Sequence, residues 1–400
     1  MSIVIEGLRH DQTMMRKHHS LLLFNLIRDE QQVSRVELAK MTQMSGTSVG
    51  KIVKELIDRG LVIETGQTSG KVGRKPTLLQ INPQGAQVIG VDVDIDRLTL
   101  GVVDLNGKVI SKLDKPMDLQ QEAESVLEYM AQSIQELLDS TSSTDTNIIG
   151  VGVCIPGLVS WSDGSVAMVP QFHWKDVNVR EYLEKKLNLT IYIDNNVKTS
   201  LLAEYLFGSV KGLKHVVSIH IGSGLGSAVI ENGEILRGVN NALGEIGHTI
   251  MDPNGQQCDC GRYGCLQTFI CSTALEKQAG KSISEIIAAV NANDPAAVHL
   301  MDRAGEYLAI AISNVICLYN PESILLEGAM MEQYPQLLSK VDQYLPKYSW
   351  GPLSKSFDIR SPQLGNDSGI IGGTALVLNE QLKSPLNRFN GFEENIIGSN

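Results

Sequence analysis

No apolar run in the 400 residues reaches the length a helix needs to cross a bilayer. The most apolar helical stretch, Tyr307 to Tyr319, is broken by Ser313 and Asn314. The first residues carry Glu6 and then charge from Arg9 onward, without the apolar core of a secretory signal. These absences set aside membrane insertion and make the cytoplasm the expected location. Cysteine is scarce, six in all. Three of the six fall with one histidine inside eighteen positions, a crowding that speaks for a reducing compartment and a metal rather than a disulfide framework. With 42% apolar and 20% charged residues, the chain has the balance of a soluble globular protein of two or three domains.

The net charge of −11 is unevenly spread. Residues 1–85 carry 12 Lys and Arg against 8 Asp and Glu, a net of +4; the rest carries 22 against 37, a net of −15. A basic leading segment on an acidic body suggests that only the first part meets a polyanion.

That leading segment reads as helices. From His10 to Glu30 the apolar residues Leu22, Leu23, Leu26 and Ile27 share one face. Ser34-Arg-Val-Glu37 is a capping box for a short second helix through Met41. Ser45 can cap a third helix ending at Gly60, with Val49, Ile52, Val53, Leu56 and Ile57 inward. Thr47, Ser48, Lys51 and Lys54 then lie on its outer face. Two short helices joined by a tight turn form a helix-turn-helix, whose second helix fits the major groove of double-stranded DNA. Two strands follow, at Leu61–Glu64 and Thr77–Ile81, around a Gly-rich basic tip that contains Lys71, Arg74 and Lys75. This is the wing of a winged helix-turn-helix, and its narrow cationic tip suits an A·T-rich minor groove.

After a linker at Pro83-Gln-Gly85 the chain offers Val88–Asp94, Leu98–Asp104, an Asn106-Gly107 turn and a third strand from Lys108. A helix near 120–139 and a buried strand at Asn147–Cys154 follow. This is one lobe of an actin-like, ribonuclease-H-like α/β fold. A second lobe repeats it: strands at Val216–Ile221 and Ser227–Glu231 around Gly222-Ser-Gly-Leu-Gly226, a turn at Asn232-Gly233, a helix near 302–318 and a strand at Ser323–Leu326. A final helix near 369–381 is expected to pack back on the first lobe. The expected domains are therefore 1–82, then 87–195 with 369–400, and 196–368.

The clustered cysteines sit in the second lobe. His248, Cys258, Cys260 and Cys265 can close a tetrahedral Zn²⁺ shell, a structural one because no position stays open for water. Cys154, Cys271 and Cys317 lie in apolar surroundings and read as buried small hydrophobes. Phe172-His173-Trp174 either lines a cleft or packs a loop.

Gly222-Ser-Gly224-Leu-Gly226, Gly238, Gly244-Glu-Ile-Gly-His248 and Cys258-x-Cys260-Gly-x-x-Gly-Cys265-Leu together resemble the signature of the ROK family of repressors and sugar kinases. The likeness covers nearly the whole chain, and the basic winged module resembles that of the regulator branch. The resemblance implies structural zinc on His248, Cys258, Cys260 and Cys265. It also implies a sugar or sugar phosphate between the lobes, contacted by Asn195, Glu245 and His248, with Pro156-Gly157 bordering it. Gln267 stands where the family usually has Glu, so a different hydroxyl pattern is expected there.

Chemistry separates the two branches. The family's kinases have Asp-x-Gly-Gly-Thr on the first hairpin, whereas here the residues are Asp92-Val-Asp94-Ile-Asp96, whose side chains and charge oppose a phosphate. The alternating carboxylates read as a solvated face. The kinases' base is the Asp of an Asn-Asp pair. Here the pair is Asn195-Asn196, and an amide accepts no proton, though Asn196 can still bond the sugar hydroxyl. Asp194, two residues earlier on the same expected strand, faces the same side and is a weak substitute. The nucleotide-side Gly-Gly has become Gly328-Ala329 after Glu327. The reading is a sugar-responsive regulator without catalytic residues, a repressor of carbohydrate genes. It would act as a homodimer or homotetramer on operator DNA, since one module reads one half-site. Two alternatives stay open: an active hexose or N-acetylhexosamine kinase with an appended DNA module, and a regulator whose signal is a protein partner.

Overall fold

The computed structural model describes residues 19–67, 76–82, 85–117, 122–141, 147–169 and 174–383. Its leading module begins with α1 (residues 19–30), whose Leu23, Phe24 and Ile27 are fully buried. After β1 (Val33–Ser34), the expected capping box forms. The Ser34 hydroxyl accepts from the Glu37 amide at 3.3 Å, and the Glu37 carboxylate accepts from the Ser34 amide at 2.8 Å. It opens α2 (Arg35–Thr42). Gln43 then takes a left-handed conformation (φ 56°) and turns the chain. Ser45 caps α3 (Gly46–Asp58) by accepting from the Ser48 amide at 3.1 Å. α3 buries Val49, Ile52, Val53 and Leu56, the i, i+3, i+4, i+7 set that its sequence spaces along one face. β2 (Val62–Gln67) and β3 (Thr77–Ile81) pair antiparallel, with β1 on the far edge of β3. The tip residues Lys71, Arg74 and Lys75 lie outside the described residues, as do His10 to His18, Phe172 and His173.

Two compact units divide the chain, Met1–Thr199 with Asn366–Asn400 and Ser200–Gly365. In the first, β4 (Gln87–Val93), β5 (Arg97–Asp104) and β6 (Val109–Pro116) form an antiparallel meander. α4 (Ala123–Thr141) then leads to β7 (Ile148–Ile155), which pairs parallel to β4. A small side sheet that the sequence reading missed follows: β8 (Leu158–Ser160), β9 (Ser165–Val169) and β10 (Trp174–Asn178). α5 (Val179–Leu187) and β11 (Ile191–Asn195) complete the unit's main sheet, ordered β11-β7-β4-β5-β6.

The second unit is built by α6 (Asn196–Phe207), which begins four residues before it, and by β12 (His215–Ile221), β13 (Leu225–Glu231) and β14 (Glu234–Ile235). The helices α7 (Gln267–Ile270), α8 (Ser272–Ala279), α9 (Ile283–Asn291) and α10 (Pro295–Tyr319) come next. β15 (Ser323–Glu327), α11 (Ala329–Gln333), α12 (Gln336–Tyr348) and β16 (Asp358–Arg360) end it. Its sheet is ordered β14-β13-β12-β15-β16. β12 pairs antiparallel to β13 and parallel to β15, as β4 does to β5 and β7. The two lobes thus repeat one α/β topology, the actin-like plan that the element order implies.

α13 (Ser368–Lys383) returns to the first unit and packs on β4 and β7, as the sequence suggested. The approach is close enough that a Cβ on Gly152 would stand 2.0 Å from the Gly373 carbonyl oxygen, so no larger residue fits there. At the far end of α13 the Arg59 guanidinium, at the C-cap of α3, donates to the Gln381 carbonyl at 3.2 Å. Gln381 in turn donates to the Ile149 carbonyl of β7 at 3.4 Å. α3 is therefore fastened to the sheet of the first lobe.

Four expectations are corrected. α10 starts at Pro295, not near Asp302, because Asp294 caps it and Pro295 fits the first turn without an amide. β11 stops at Asn195 and α6 begins at Asn196, so Asp194 and Asn196 do not share a strand face. Cys317 is exposed on the outward side of α10 beside Leu318, while Cys154 and Cys271 are buried as expected. Asp92 is no solvated carboxylate either: it is half-buried beside Cys154, its partner in the β4–β7 register.

Candidate metal centre and recognition surfaces

The loop that follows β14 folds back over β13. Ser227 of β13 donates to the Gly244 carbonyl from its amide at 2.8 Å and from its hydroxyl at 3.0 Å. A 3₁₀ turn, Ile246–His248, then carries His248 inward. The cysteine segment makes a knuckle. The Cys258 amide donates to the Arg262 carbonyl at 2.7 Å, and the Gly261 amide to the Cys258 carbonyl at 2.9 Å. Gly264 has φ 67°, and a Cβ there would meet the Asp252 carbonyl oxygen at 1.5 Å, so glycine is obligatory. A bridge between Ile250 and Cys265 and the Leu266 amide on the Thr249 carbonyl, at 2.9 Å, bring the two halves of the loop together. Phe269 of α7 stacks on Tyr307 of α10 with ring centroids 4.0 Å apart, which anchors the loop to the unit's core.

The four ligand atoms of His248, Cys258, Cys260 and Cys265 all lie within 4.8 Å of one another. His248 Nδ1 is 3.7 Å from Cys258 Sγ, and Cys260 Sγ is 3.6 Å from Cys265 Sγ. A tetrahedron with Zn–S bonds of about 2.3 Å has edges of about 3.8 Å, so the donor set has the size and chemistry for a metal ion. Burial pushes the Cys258 thiol up and the Cys265 thiol up to about 12. At Cys260 burial also acts upward, but hydrogen bonds from the Arg262 backbone and side chain outweigh it and bring the thiol down to about 6. Ligation requires thiolates, so a bound cation would replace the remaining protons.

The residues assigned to the sugar divide between the units. In the first, the Asn195 carboxamide bridges two elements: its Nδ2 donates one N–H to the Gly157 carbonyl at 3.0 Å, and its Oδ1 accepts from the amides of Val197 and Lys198 at 3.0 and 3.3 Å. That side chain caps α6 and holds the Pro156-Gly157 loop at once. Asn196 is half-buried, and its Oδ1 is 3.0 Å from the Val197 amide. Asp194 is buried, its Oδ1 accepting from the Asn195 amide at 2.8 Å. In the second unit Glu245 is exposed and His248 half-buried. Gln267, also half-buried, places Nε2 3.3 Å from Cys258 Sγ, a contact that nothing in the sequence signals.

On the nucleotide side, burial and the neighbouring Asp94 push the Asp92 carboxyl up to about 6. Burial raises the Glu327 carboxyl to about 7, although Ser200 donates to it at 2.6 Å. On the leading module Thr47, Ser48, Lys51 and Lys54 are all exposed along α3. The Ser45 hydroxyl is engaged as the helix cap. Among the described residues no helix is long and apolar enough to cross a membrane.

Residues 88–380 match the sequence pattern of the ROK family, and residues 15–75 that of the MarR family. The chain is 28% identical to the xylose repressor of Bacillus spizizenii, over 92% of this chain and 97% of that protein. It is 27% identical to the N-acetylglucosamine repressor of Shigella flexneri, over 93% and 95% of the two chains. Among solved structures it resembles a ROK family transcriptional regulator, a homologue of the E. coli MLC protein. That match has a TM-score of 0.80 and 28% identity and covers 92% of this chain and 97% of the other.

Proposed function

Because the chain belongs to the ROK family, we propose that it is a sugar-responsive DNA-binding transcriptional regulator, a repressor of carbohydrate uptake or catabolism genes. The observation that carries this reading is the exposed Thr47, Ser48, Lys51, Lys54 face of α3, set on a winged module that Arg59 ties to the first lobe. Small polar and basic side chains at the start of such a helix suit base edges and phosphates. The wing residues Lys71, Arg74 and Lys75 would add minor-groove and phosphate contacts. The relatives named above are a xylose repressor and an N-acetylglucosamine repressor, which supports the same role here.

The effector would be a sugar or sugar phosphate contacted by Pro156, Gly157, Asn195, Asn196, Glu245, His248 and Gln267. His248 would hold a structural Zn²⁺ through Nδ1 with Cys258, Cys260 and Cys265. Nε2 would remain for a sugar hydroxyl, with the ring fixed by the metal. A bound Zn²⁺ would supply loop rigidity and no catalysis, since four protein ligands fill its shell. Asn196 offers no base, so the ligand would be sensed rather than phosphorylated. Two modules in a two-fold dimer would read two half-sites, and the effector would shift the balance between DNA-competent and DNA-incompetent states.

A filter-binding assay on DNA upstream of the chain's own gene tests this, run with xylose, N-acetylglucosamine, glucose and their phosphates. A specific complex that weakens steeply with salt and responds to one of these ligands is expected. No specific complex at moderate salt under any condition would refute the reading.

A further inference from the structure

Gln267 is the first residue of α7, two positions after Cys265. The start of that helix is locked to the metal loop, because Thr268 donates to the Cys265 carbonyl from its hydroxyl at 2.7 Å and from its amide at 3.0 Å. From this position the Gln267 carboxamide reaches back nine residues to Cys258, with Nε2 3.3 Å from a sulfur that is only 4% exposed. A metal-bound cysteine carries no proton and can only accept. The amide must therefore turn its NH₂ end to the sulfur, as the Nε2 placement has it. Its carbonyl oxygen is then turned away from the sulfur. A Cys₃His shell around a divalent cation has a net charge of −1, so N–H donors to the sulfurs offset charge that burial would otherwise penalise. Cys260 has such a donor in Arg262. For Cys258 the side-chain donor is Gln267.

We infer that Gln267 is a positioning residue of the metal centre: it donates one N–H to the Cys258 thiolate, which fixes the carboxamide and turns its carbonyl oxygen away from the sulfur, as an acceptor for a sugar hydroxyl. A glutamate in its place would set a carboxylate against a thiolate and could not make this bond. The glutamine is thus explained by the sulfur it faces rather than by an added donor for the sugar. The inference rests on the metal and effector roles proposed above, and the experiment separates its failure from theirs.

Full-length protein is loaded with Co²⁺ in place of the native metal, and the near-ultraviolet thiolate-to-cobalt charge-transfer band is recorded. Metal release to a chelating dye is then timed for the wild type, Gln267→Glu and Gln267→Met. Both variants should shift the band to longer wavelength, because a thiolate that loses an N–H donor gives up its electrons more easily. Both should also release metal on the order of tenfold faster. Gln267→Met keeps the side-chain length without charge, so a shift in both variants tracks the lost donor and not the carboxylate alone. An unchanged band and release rate in both variants, with the wild type showing the band, would overturn the inference and leave the metal reading standing. A wild-type protein that takes up no cobalt and shows no band would overturn both.

Discussion

The two lobes share one strand order, yet the corners that follow their first strands are chemically opposite. At the end of β4 and just beyond it the chain carries Asp92, Asp94 and Asp96, and the Ile95 amide is taken by Asp94 at 2.7 Å. After β12 it carries Gly222, Gly224 and Gly226, with the Gly222 amide bonded to the Gly224 carbonyl at 2.9 Å. The glycine corner is itself covered by side chains. Ser272 and Thr273 of α8 donate to the carbonyls of Gly222 and Ser223 at 3.2 and 2.8 Å. One corner is glycine backbone, and the other carries three carboxylates, two of them exposed. Carboxylates at the first corner oppose a phosphate, whatever the glycines of the second allow. Beyond its glycines the second unit carries the His248–Cys265 loop, whose proposed task is to hold His248 for a sugar.

The largest separation between the two lobes should follow loss of the metal. Cys258→Ser is expected to abolish stoichiometric metal content and to cost on the order of several kcal/mol of stability. Sugar binding should fall with it, because His248 loses its fixed orientation; metal analysis, thermal unfolding and calorimetry on one preparation check this. Normal sugar binding without metal would show the coupling between shell and effector to be wrong. Next in size is the module on the first lobe. Lys51→Ala should weaken DNA about tenfold and lower the salt slope by about one, without altering sugar affinity. Arg59→Met should leave sugar affinity unchanged but shrink the ratio of DNA affinities with and without effector, since the tie to Gln381 is gone.

A smaller effect compares one buried carboxyl from each lobe. Both Asp92 and Glu327 are raised in the folded protein, to about 6 and about 7, so the native state holds protons that the unfolded chain has released. Stability is therefore lost as pH rises from about 4.5 to 7 for Glu327, and from about 3.8 to 6 for Asp92. Glu327→Gln should flatten the pH dependence of unfolding free energy across its window, by on the order of 2–3 kcal/mol at its upper end. Asp92→Asn should do so less, because Asp92 keeps part of its surface in water. The smallest expected change is none at all: Asp94→Gly combined with Asn196→Asp should give no ATP-dependent sugar phosphorylation in a coupled assay. Turnover in that double variant would mean the nucleotide side is one step from repair, and the contrast between the corners would be far shallower than drawn.

Much of this was legible in the chain. The capping box at Ser34, the Ser45 cap and the inward set Val49, Ile52, Val53 and Leu56 are local signals, and they formed as spaced. The metal loop was legible because four ligands crowd into eighteen positions and glycines mark where the backbone must turn. Short strands without alternation were not, which is why β8 to β10 were missed. The true start of α10 was signalled by Asp294-Pro295 and overlooked in favour of its apolar core. Asp194 and Asn196 share a face only if the strand continues past Asn195, whereas α6 begins at Asn196 with the Asn195 side chain as its cap. The Gln267–Cys258 contact depends on how α7 packs against the knuckle, and no periodicity carries it.

The central claim is that a sugar alters DNA binding through a body that does no chemistry. Fluorescence anisotropy of a labelled operator fragment, titrated with zinc-loaded protein in the presence and absence of each candidate sugar, tests it most directly. The account predicts a specific complex whose affinity changes at least several-fold with one sugar or sugar phosphate, with or without ATP. Affinity identical across all ligands, or a ligand effect that appears only with ATP and is accompanied by ADP release, would contradict it.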